Sequence, residues 1–330
     1  MKAQELLQSW STVLKGRKPL MSIEITRECP LRCPGCYAYD EAHLGGNGVT
    51  LRVLSDLKQD ALVKGILKLV DEFRPLHVSL VGGDPLVRYR ELEFILPELD
   101  SRGINVQLVT SAFRHIPAHW TKFSRLSVVV SVDGLQPDHD ERRKPATYER
   151  ILQNIRDVQV TIHCTITGQM TRQENYFARF LAFWSEKPQI KRVWMSIFTP
   201  QRGASGPEIL SAAERVRVIA ELGRLRSRFP VLDMSERVLR EFLNPPASPD
   251  KCIFAQTTRV ISADLKTRVT PCQFGGNPDC SQCGCMASMG LAAVGHLEIG
   301  GGITLGKLYA ASERVGRGVD KLRILQKEVA

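Results

Sequence analysis

The sequence predicts an α/β protein: a partial (β/α)6 parallel barrel followed by a small cysteine-rich C-terminal module. Short apolar runs alternate with longer amphipathic segments through residues 21–230, and this pattern stops near the proline-rich stretch "NPPASPDKC" (244–252). Most of the cysteines lie in two tight groups. The 330 residues are 43% hydrophobic and 24% charged, which is typical of a globular protein with a sizeable core.

Six apolar runs are predicted to be strands, and six amphipathic segments between and after them are predicted to be helices. The strand candidates are 21–26, 77–83, 106–110, 126–134, 160–167 and 193–199; the helix candidates are 54–73, 89–101, 116–123, 146–157, 172–186 and 211–228. Several strands are apolar almost throughout, as expected of strands covered on both faces. Six β-then-α units predict a parallel sheet with right-handed crossovers, too few for a closed barrel of about eight units.

The first twenty residues, "MKAQELLQSWSTVLKGRKPL", lack the apolar core of a secretory signal. Leu6, Leu7, Trp10 and Leu14 are spaced to share one face, which predicts a short amphipathic helix. We therefore divide the chain into an N-terminal helix (1–20), the partial barrel (21–230) and a cysteine-rich region (231–330).

The charge and hydropathy patterns argue against nucleic acid and membrane. Lys and Arg number 45 against 35 Asp and Glu, a net charge of +10, but the excess is spread along the chain without the pattern of a nucleic-acid module. It predicts a solvated surface, and it is compatible with an anionic substrate or an electron-donor protein. No apolar stretch approaches the roughly 18 residues of a membrane span, so we expect a cytoplasmic protein.

The nine cysteines predict metal rather than disulfides. Cys29, Cys33 and Cys36 lie in one short loop, five more lie between 252 and 285, and Cys164 stands alone in an apolar strand. Structural disulfides are rare in a reducing compartment, and tight cysteine clusters are typical of metal sites. We expect Cys164 to be a buried structural thiol.

The first cysteine loop, "CPLRCPGCYAYD" (29–40), has one thiol too few for a closed four-ligand site. A structural zinc ion needs four ligands, and the next candidate, His43, lies beyond the loop. A 4Fe–4S cluster held by three thiolates leaves one iron open to a small molecule. A zinc site completed by a distant residue is the alternative.

Cys29-x-x-x-Cys33-x-x-Cys36 after the first strand, with "GGDP" (82–85) after the second, resembles the cluster loop of radical S-adenosylmethionine (SAM) enzymes. The resemblance covers about residues 20–230. It implies that SAM binds the open iron through its amino and carboxylate groups. It also implies that one electron cleaves SAM to methionine and a 5′-deoxyadenosyl radical, which takes a hydrogen atom from the substrate.

The resemblance also implies which residues bind SAM. Those that would hold the methionine amino group are Gly82, Gly83, Asp84 and Pro85, with Asp84 where the family more often has Glu. Those that would contact the ribose or carboxylate are Thr110, Ser111, Ser131 and Asp133, although hydroxyls at strand ends are also common helix caps. Many members have an aromatic residue where this chain has Gly35, so the adenine is expected to contact Tyr37 or another aromatic.

The later cysteines resemble the auxiliary-cluster modules (SPASM and twitch) that follow the barrel in many radical SAM enzymes. The hairpin pattern "ISADLKTRVTPCQF" keeps Pro271–Cys272 but has Lys266–Thr267 where Gly is usual. The cysteines are too few for two clusters, so the resemblance implies one auxiliary 4Fe–4S cluster, with a structural zinc ion as the alternative. The expected ligands are Cys252, Cys272, Cys280 and Cys283, while Cys285 replaces one of them or stays free near the substrate.

The expected function is that of a radical SAM enzyme acting on a C–H bond. The auxiliary-cluster subgroup often modifies peptides, but no peptide-binding segment is visible before the first strand, so a small molecule or lipid precursor competes as substrate. The reductant would be a protein such as flavodoxin or ferredoxin. A non-catalytic iron–sulfur electron carrier is the alternative of a different class. The stretch 133–152 resembles the subgroup. We expect its His139 and arginines to form a solvated loop and helix cap, and the alternative is that they line the mouth of the site.

Overall fold

The computed structural model describes residues 3–45 and 48–329. Within them, one parallel sheet has the strand order β6-β5-β4-β3-β2-β1-β7. Its strands are β1 (Leu20–Glu24), β2 (His77–Val81), β3 (Asn105–Thr110), β4 (Leu126–Ser131), β5 (Val160–Ile166), β6 (Ile190–Ile197) and β7 (Thr258–Ile261). The first six strands coincide with the six predicted, and the predicted parallel α/β fold is confirmed.

Helices precede, connect and follow these strands, and those between consecutive strands bury apolar residues in the core. They are α1 (Ala3–Leu14), α2 (Gln59–Phe73), α3 (Tyr89–Ser101), α4 (Gln136–Arg142), α5 (Tyr148–Asn154), α6 (Gly168–Thr171), α7 (Tyr176–Ser185), α8 (Ala212–Arg228), α9 (Glu236–Glu241), α10 (Ile253–Thr257), α11 (Met286–Gly295) and α12 (Leu305–Val329). In α2, Leu62, Ile66 and Val70 recur every fourth residue and are buried. The predicted helix at 116–123 is a 3-10 helix, Ala118–Lys122.

The two faces of the sheet differ in polarity. Val130 and Ile162 are fully buried in the core shared with the helices. Their neighbours along the strands, Ser131 and His163, point to the opposite face and are partners in the register of β4 and β5. Because Ser131 and His163 are only half-buried, this second face is the side of the sheet on which a ligand can be accommodated.

Strand β7 was not predicted, because it has four residues and lies in the region assigned to the cysteine-rich module. It pairs in parallel with β1, in the register Leu20↔Thr258. The turn after it uses Leu265 at φ +56, a left-handed conformation that usually favours glycine. The Asp264 carboxylate accepts hydrogen bonds from the backbone N–H groups of Lys266 and Thr267 at 2.9 and 2.8 Å, which stabilises this turn. The C-terminal region thus completes the sheet, and the domain boundaries given above stay predictions.

Helix α1 packs against α12, at the other end of the chain. Val13 is buried, whereas Leu7 and Leu14, which were expected on the buried face, are 65% and 41% exposed. Trp10 donates a hydrogen bond to Ser312 of α12, and the side chain of Leu6 lies outside the described residues. The face that α12 covers therefore differs from the one that periodicity predicted. Among the described residues, no helix has the length and apolar character to cross a bilayer.

A hairpin of β8 (Glu298–Gly300) and β9 (Ile303–Thr304) lies between α11 and α12. Gly300, Gly301 and Gly302 all have positive φ and form its turn. The glycine-rich stretch is therefore a tight turn rather than a phosphate-binding loop.

Candidate functional site

The residues predicted to bind the cluster and SAM gather at one edge of the sheet. The cysteine loop follows β1, residues 82–85 follow β2, Thr110 ends β3 and Ser131 ends β4. The carboxyl ends of parallel strands meet at the same edge, where ligands bind in open α/β sheets.

Gly82 and Gly83 pack against the backbone that leads into the cysteine loop. The Gly83 N–H donates to the Thr26 carbonyl at 2.8 Å, and the Asp84 N–H donates to the Glu28 carbonyl at 2.9 Å. A Cβ on Gly83 would lie 2.1 Å from the Glu28 carbonyl oxygen, and one on Gly82, whose φ is +132, would lie 2.6 Å from the Thr26 oxygen. Only glycine fits this contact. Among the hydrogen bonds of the described residues, the Gly82 and Gly83 carbonyls accept none, so both can accept from an ammonium group.

Asp84 is buried, and protein donors surround its carboxylate. One oxygen accepts from the Leu86 N–H at 3.0 Å and the Thr110 hydroxyl at 2.7 Å. The other accepts from the Ser111 N–H at 2.8 Å and the Ser111 hydroxyl at 2.6 Å. Burial raises the pKa of Asp84, and these four hydrogen bonds oppose the rise. Asp84, Thr110 and Ser111 thus join the ends of β2 and β3, and a direct contact of any of them with SAM stays a prediction.

The Asp133 carboxylate is also surrounded by protein groups, but two of them are the positively charged Arg142 and Arg143. Its carboxylate lies 2.8 Å from Arg143 Nε and 3.3 Å from Arg142 Nε, and it accepts from the Thr165 N–H at 3.1 Å. Burial favours the neutral acid, yet Arg143 and Arg142 outweigh this and lower the pKa of Asp133 to about 2. An ionised Asp133 orients both guanidinium groups.

The two arginines face the cysteine loop. Arg142 donates to the Pro34 carbonyl at 2.8 Å. Burial raises the pKa of the Cys33 and Cys36 thiols, and the positive charge of Arg143 opposes that rise. Arg143 can therefore bind an anion held beside this loop.

The expectation that His139 belongs to a solvated loop and helix cap was wrong. His139 is fully buried: its Nδ1 accepts from the Asp133 N–H at 3.0 Å and its Nε2 donates to the Ala146 carbonyl at 2.7 Å. Burial lowers the pKa of His139 to about 4, so it is neutral at pH 7 and folds the segment back under Asp133. The signal that could have revealed Arg142 and Arg143 is their position one helix beyond the end of a buried strand.

His163 is a further residue that the sequence analysis did not single out. It is the register partner of Ser131, and its Nε2 lies 2.7 Å from the Ser196 hydroxyl. Burial lowers the pKa of His163 to about 4, so a neutral imidazole stands beside the predicted SAM contact Ser131.

Two aromatic rings pack beside the cysteine loop. The Tyr37 ring packs edge-on against Phe274, with centroids 5.3 Å apart, and therefore contacts the cysteine-rich region. The ring that lies against Gly35 is Phe198, just after β6, only 3.2 Å from where a Cβ of residue 35 would be. Gly35 also has φ +64, so the backbone conformation and the space both favour glycine. The contact of Tyr37 with adenine stays a prediction.

His43 connects the first cysteine loop to the second cysteine group. It is fully buried, with Nε2 2.6 Å from a Glu24 carboxylate oxygen and Nδ1 donating to the Phe274 carbonyl at 3.1 Å. Burial alone would lower the pKa of His43, but the hydrogen bond to Glu24 and its charge raise it. The ring nitrogens are thus both engaged, and His43 is not placed to complete the three-cysteine loop.

The five later cysteines surround one cavity. Its other lining residues are mostly apolar; the full lining is Thr199, Pro246, Pro249, Cys252, Phe254, Ala255, Cys272, Gln273, Phe274, Pro278, Cys280, Cys283, Cys285 and Ser288. None of the cysteines, all of which lie in the described part of the chain, forms a disulfide. In the same part of the chain, no three Cys, His, Asp or Glu side chains are grouped to hold a single metal ion.

Side-chain hydrogen bonds hold the cysteine segment in place, and one of them is made to Cys285. The Gln273 amide donates to the Cys285 sulfur at 3.3 Å. Arg215 of α8 donates to the Cys283 carbonyl at 2.9 Å and to the Phe242 carbonyl at 3.0 Å. A buried guanidinium thus ties the cysteine segment to the helices packed behind it.

We expect Gly284→Ala to detach this segment from β6. The Ile197 N–H donates to the Gly284 carbonyl at 2.9 Å, and an added Cβ would lie 2.1 Å from the Ile197 oxygen. The free energy of unfolding should fall by about 3 kcal/mol, and metal at the second site should be lost while the first site keeps its iron. Chemical denaturation and metal analysis measure both. Gly290→Ala in α11, where nothing lies within 4 Å, is the control: it should keep metal at both sites and should be at least as stable as the unsubstituted protein, because alanine is the better helix former.

Comparison with known proteins agrees with this geometry. Residues 23–176 match the family model described as the Radical SAM superfamily. No curated protein matches the sequence. Among solved structures, Streptococcus suis SuiB bound to the precursor peptide SuiA is similar with a TM-score of 0.57 and 14% identity; the match covers 82% of this chain and 63% of SuiB.

A second similar structure is native anSMEcpe with bound AdoMet, with a TM-score of 0.56 and 18% identity over 78% of this chain and 75% of that one. The same protein with AdoMet and a Cp18Cys peptide has a TM-score of 0.56 and 16% identity, over 78% of this chain and 74% of that one. At such identities the likeness shows the fold, while the family model is matched by the sequence itself. Residues 23–176, just under half of the chain, are therefore assigned to the Radical SAM superfamily domain.

Proposed function

We propose that the protein is a radical SAM enzyme that modifies a peptide at a C–H bond and carries one auxiliary iron–sulfur cluster. A 4Fe–4S cluster on Cys29, Cys33 and Cys36 would supply, when bound, the electron that cleaves SAM to methionine and a hydrogen-abstracting 5′-deoxyadenosyl radical. The three thiols fit such a cluster, since they are soft donors on one loop that no fourth protein ligand closes.

The observation that carries the proposal is the pair of groups beside the cysteine loop. The Gly82 and Gly83 carbonyls can accept from the ammonium of a bound amino acid, and Arg143 can bind its carboxylate. Asp84 fixes the glycine segment and Asp133 orients the arginine, so the two carboxylates act as positioning residues. An electron carrier without SAM would need neither group.

The auxiliary cluster is supported by the cavity lined by all five later cysteines. The proposed ligands are Cys252, Cys272, Cys280 and Cys283. Cys285 accepts a hydrogen bond from Gln273 and is the fifth thiol, available to replace a ligand or to stay free. Zinc in place of this cluster is the alternative that metal analysis distinguishes.

The peptide substrate is supported by the neighbours SuiB, bound to a precursor peptide, and anSMEcpe, bound to a Cp18Cys peptide. This chain spans 63% of the length of SuiB, so its substrate does not follow from that likeness. A small molecule or lipid precursor is the second candidate. Mass spectrometry of peptides incubated with the reduced enzyme and SAM distinguishes them by a mass change of the peptide.

The decisive experiment is anaerobic reconstitution followed by metal analysis and an assay of SAM cleavage. About eight irons per chain are expected, with 5′-deoxyadenosine formed under reduction. Replacing Cys29, Cys33 and Cys36 by alanine should remove about four irons and all cleavage. Cys164→Ala, at a buried thiol outside both groups, is the control and should retain both. Iron without SAM cleavage, with and without candidate peptides, would favour an electron carrier.

A further inference from the structure

An open cavity of about 340 Å³ lies beside Cys29. Its lining, which we name the arginine rim, consists of Arg27, Glu28, Cys29, Leu31, Arg32, Tyr39 and Arg52. The lining includes no residue of 82–85 and none of the Asp133–Arg143 group, although the Glu28 carbonyl and the Tyr39 hydroxyl lie next to Gly83. The arginine rim thus adjoins the proposed SAM contacts but consists of other residues. Of the three cysteines in the first loop, Cys29 is the one that lines the rim.

The rim has an excess of positive charge. Glu28 lies 2.8 Å from Arg88 and 2.9 Å from Lys58, and Asp56 lies 2.5 Å from the same Arg88 and 3.9 Å from Arg27. Arg88 and Lys58 supply two positive charges against these two acids, so the charges of the rim arginines remain in excess.

The remaining cations, Arg27, Arg32 and Arg52, are all exposed. Two of them are held in place: the Arg52 guanidinium lies 4.5 Å from the Tyr39 ring centroid, and Arg27 donates to the Arg52 carbonyl. The Tyr39 hydroxyl in turn donates to the Arg27 carbonyl at 2.8 Å. The rim is thus a preorganised basic surface rather than a set of unrelated side chains.

We propose that the arginine rim is the docking surface for an acidic one-electron carrier protein. This inference rests on the proposed function, because reductive SAM cleavage needs one electron from outside for each SAM. The carrier is oxidised by one electron, the cluster is reduced by one, and no proton or group is transferred. Electron transfer slows steeply with distance, and Cys29 brings the cluster loop to an open surface. Basic side chains around it would steer an acidic partner to that point.

The test compares charge reversal inside and outside the rim. Arg32→Glu/Arg52→Glu changes the net charge by the same amount as Arg179→Glu/Arg224→Glu, a pair of exposed residues on α7 and α8. The probe is a flavodoxin, which is an acidic one-electron carrier. We expect the rim variant to weaken flavodoxin binding at least tenfold at low salt and to lose most of its salt dependence, while the control pair changes binding less than threefold.

The second measurement is 5′-deoxyadenosine formation with two reductants. The rim variant should lose at least tenfold in rate with flavodoxin and match the unsubstituted protein with dithionite, a small molecule that needs no docking surface. Equal flavodoxin binding and rates in the rim variant and the control pair would overturn the proposal. Failure of every protein to cleave SAM with dithionite would instead count against the proposed function, while the binding measurement still tests the docking surface.

Discussion

Gly83→Ala should abolish SAM cleavage and destabilise the protein by about 3 kcal/mol. The new Cβ would lie 2.1 Å from the Glu28 carbonyl oxygen and 2.8 Å from the Tyr39 hydroxyl, so the backbone of one of the two segments must move. Movement breaks the hydrogen bonds from Gly83 and Asp84 to Thr26 and Glu28, which join the SAM-binding segment to the start of the cysteine loop. An assay of 5′-deoxyadenosine formation and chemical denaturation measure the two consequences.

Gly223→Ala provides the matched control. Gly223 lies within α8, and an added Cβ would have its nearest neighbour 4.0 Å away, on Leu239. Because alanine is the better helix former, this variant should be stabilised by up to about 1 kcal/mol and should cleave SAM normally. If Gly83→Ala were as stable and active as Gly223→Ala, the close packing of these segments would be wrong.

Arg143→Met should produce the second large effect. Removing one partner of a buried ion pair costs about 3 to 5 kcal/mol, because a charge is left buried without its counter-ion. Because Arg142 still lies 3.3 Å from Asp133, we expect the free energy of unfolding to fall by about 3 kcal/mol, the lower end of that range. SAM affinity should fall at least tenfold. Arg240→Met is the control: its pair with Glu236 is exposed, and the free energy of unfolding should change by about 0.5 kcal/mol or less.

The same pair predicts the acid dependence of stability. The pKa of Asp133 in the folded protein is about 2, below its ordinary value of 3.8. Because this pKa is lowered on folding, the ionised Asp133 stabilises the folded protein by about 2 kcal/mol. This contribution is complete above about pH 4 and is lost as the pH falls through about 2. In Arg143→Met this loss should be smaller, because the pKa of Asp133 rises. Chemical denaturation of the unsubstituted protein and of Arg143→Met at a series of pH values from 5 to 2 tests this. If both proteins lost the same stability over this range, the pairing of Arg143 with Asp133 would not be the cause of the lowered pKa.

Two buried contacts link the sites at the two cysteine groups. Tyr37, next to Cys36, packs on Phe274, and His43 bridges Glu24 of β1 and the Phe274 carbonyl. An added Cβ on Gly275 would lie 1.9 Å from the His43 carbonyl oxygen, so the two segments are in direct backbone contact. The positions of the two proposed clusters relative to each other therefore depend on this contact.

The sequence predicted what depends on short-range pattern. The six strands, the helix Tyr89–Ser101 and the start of α8 near Ser211 all follow from hydrophobic periodicity and capping residues. The cysteine spacing in 29–36 and the position of "GGDP" after β2 follow in the same way, because each lies in one loop whose place in the βα order is fixed. These features are local, so a single stretch of chain contains the information.

Only the tertiary structure decided the contacts between residues that are distant in sequence. Strand β7 has too few residues to show a period, and it is a strand because β1 offers an open edge. The buried face of α1 depends on α12, and the donors to Asp84 come from β3. The pairing of Arg143 with Asp133 near Cys33 likewise requires the chain to fold back. Residue type alone does not decide whether a charged side chain binds a ligand itself or orients another side chain that binds it. Its burial and its hydrogen-bond partners decide this.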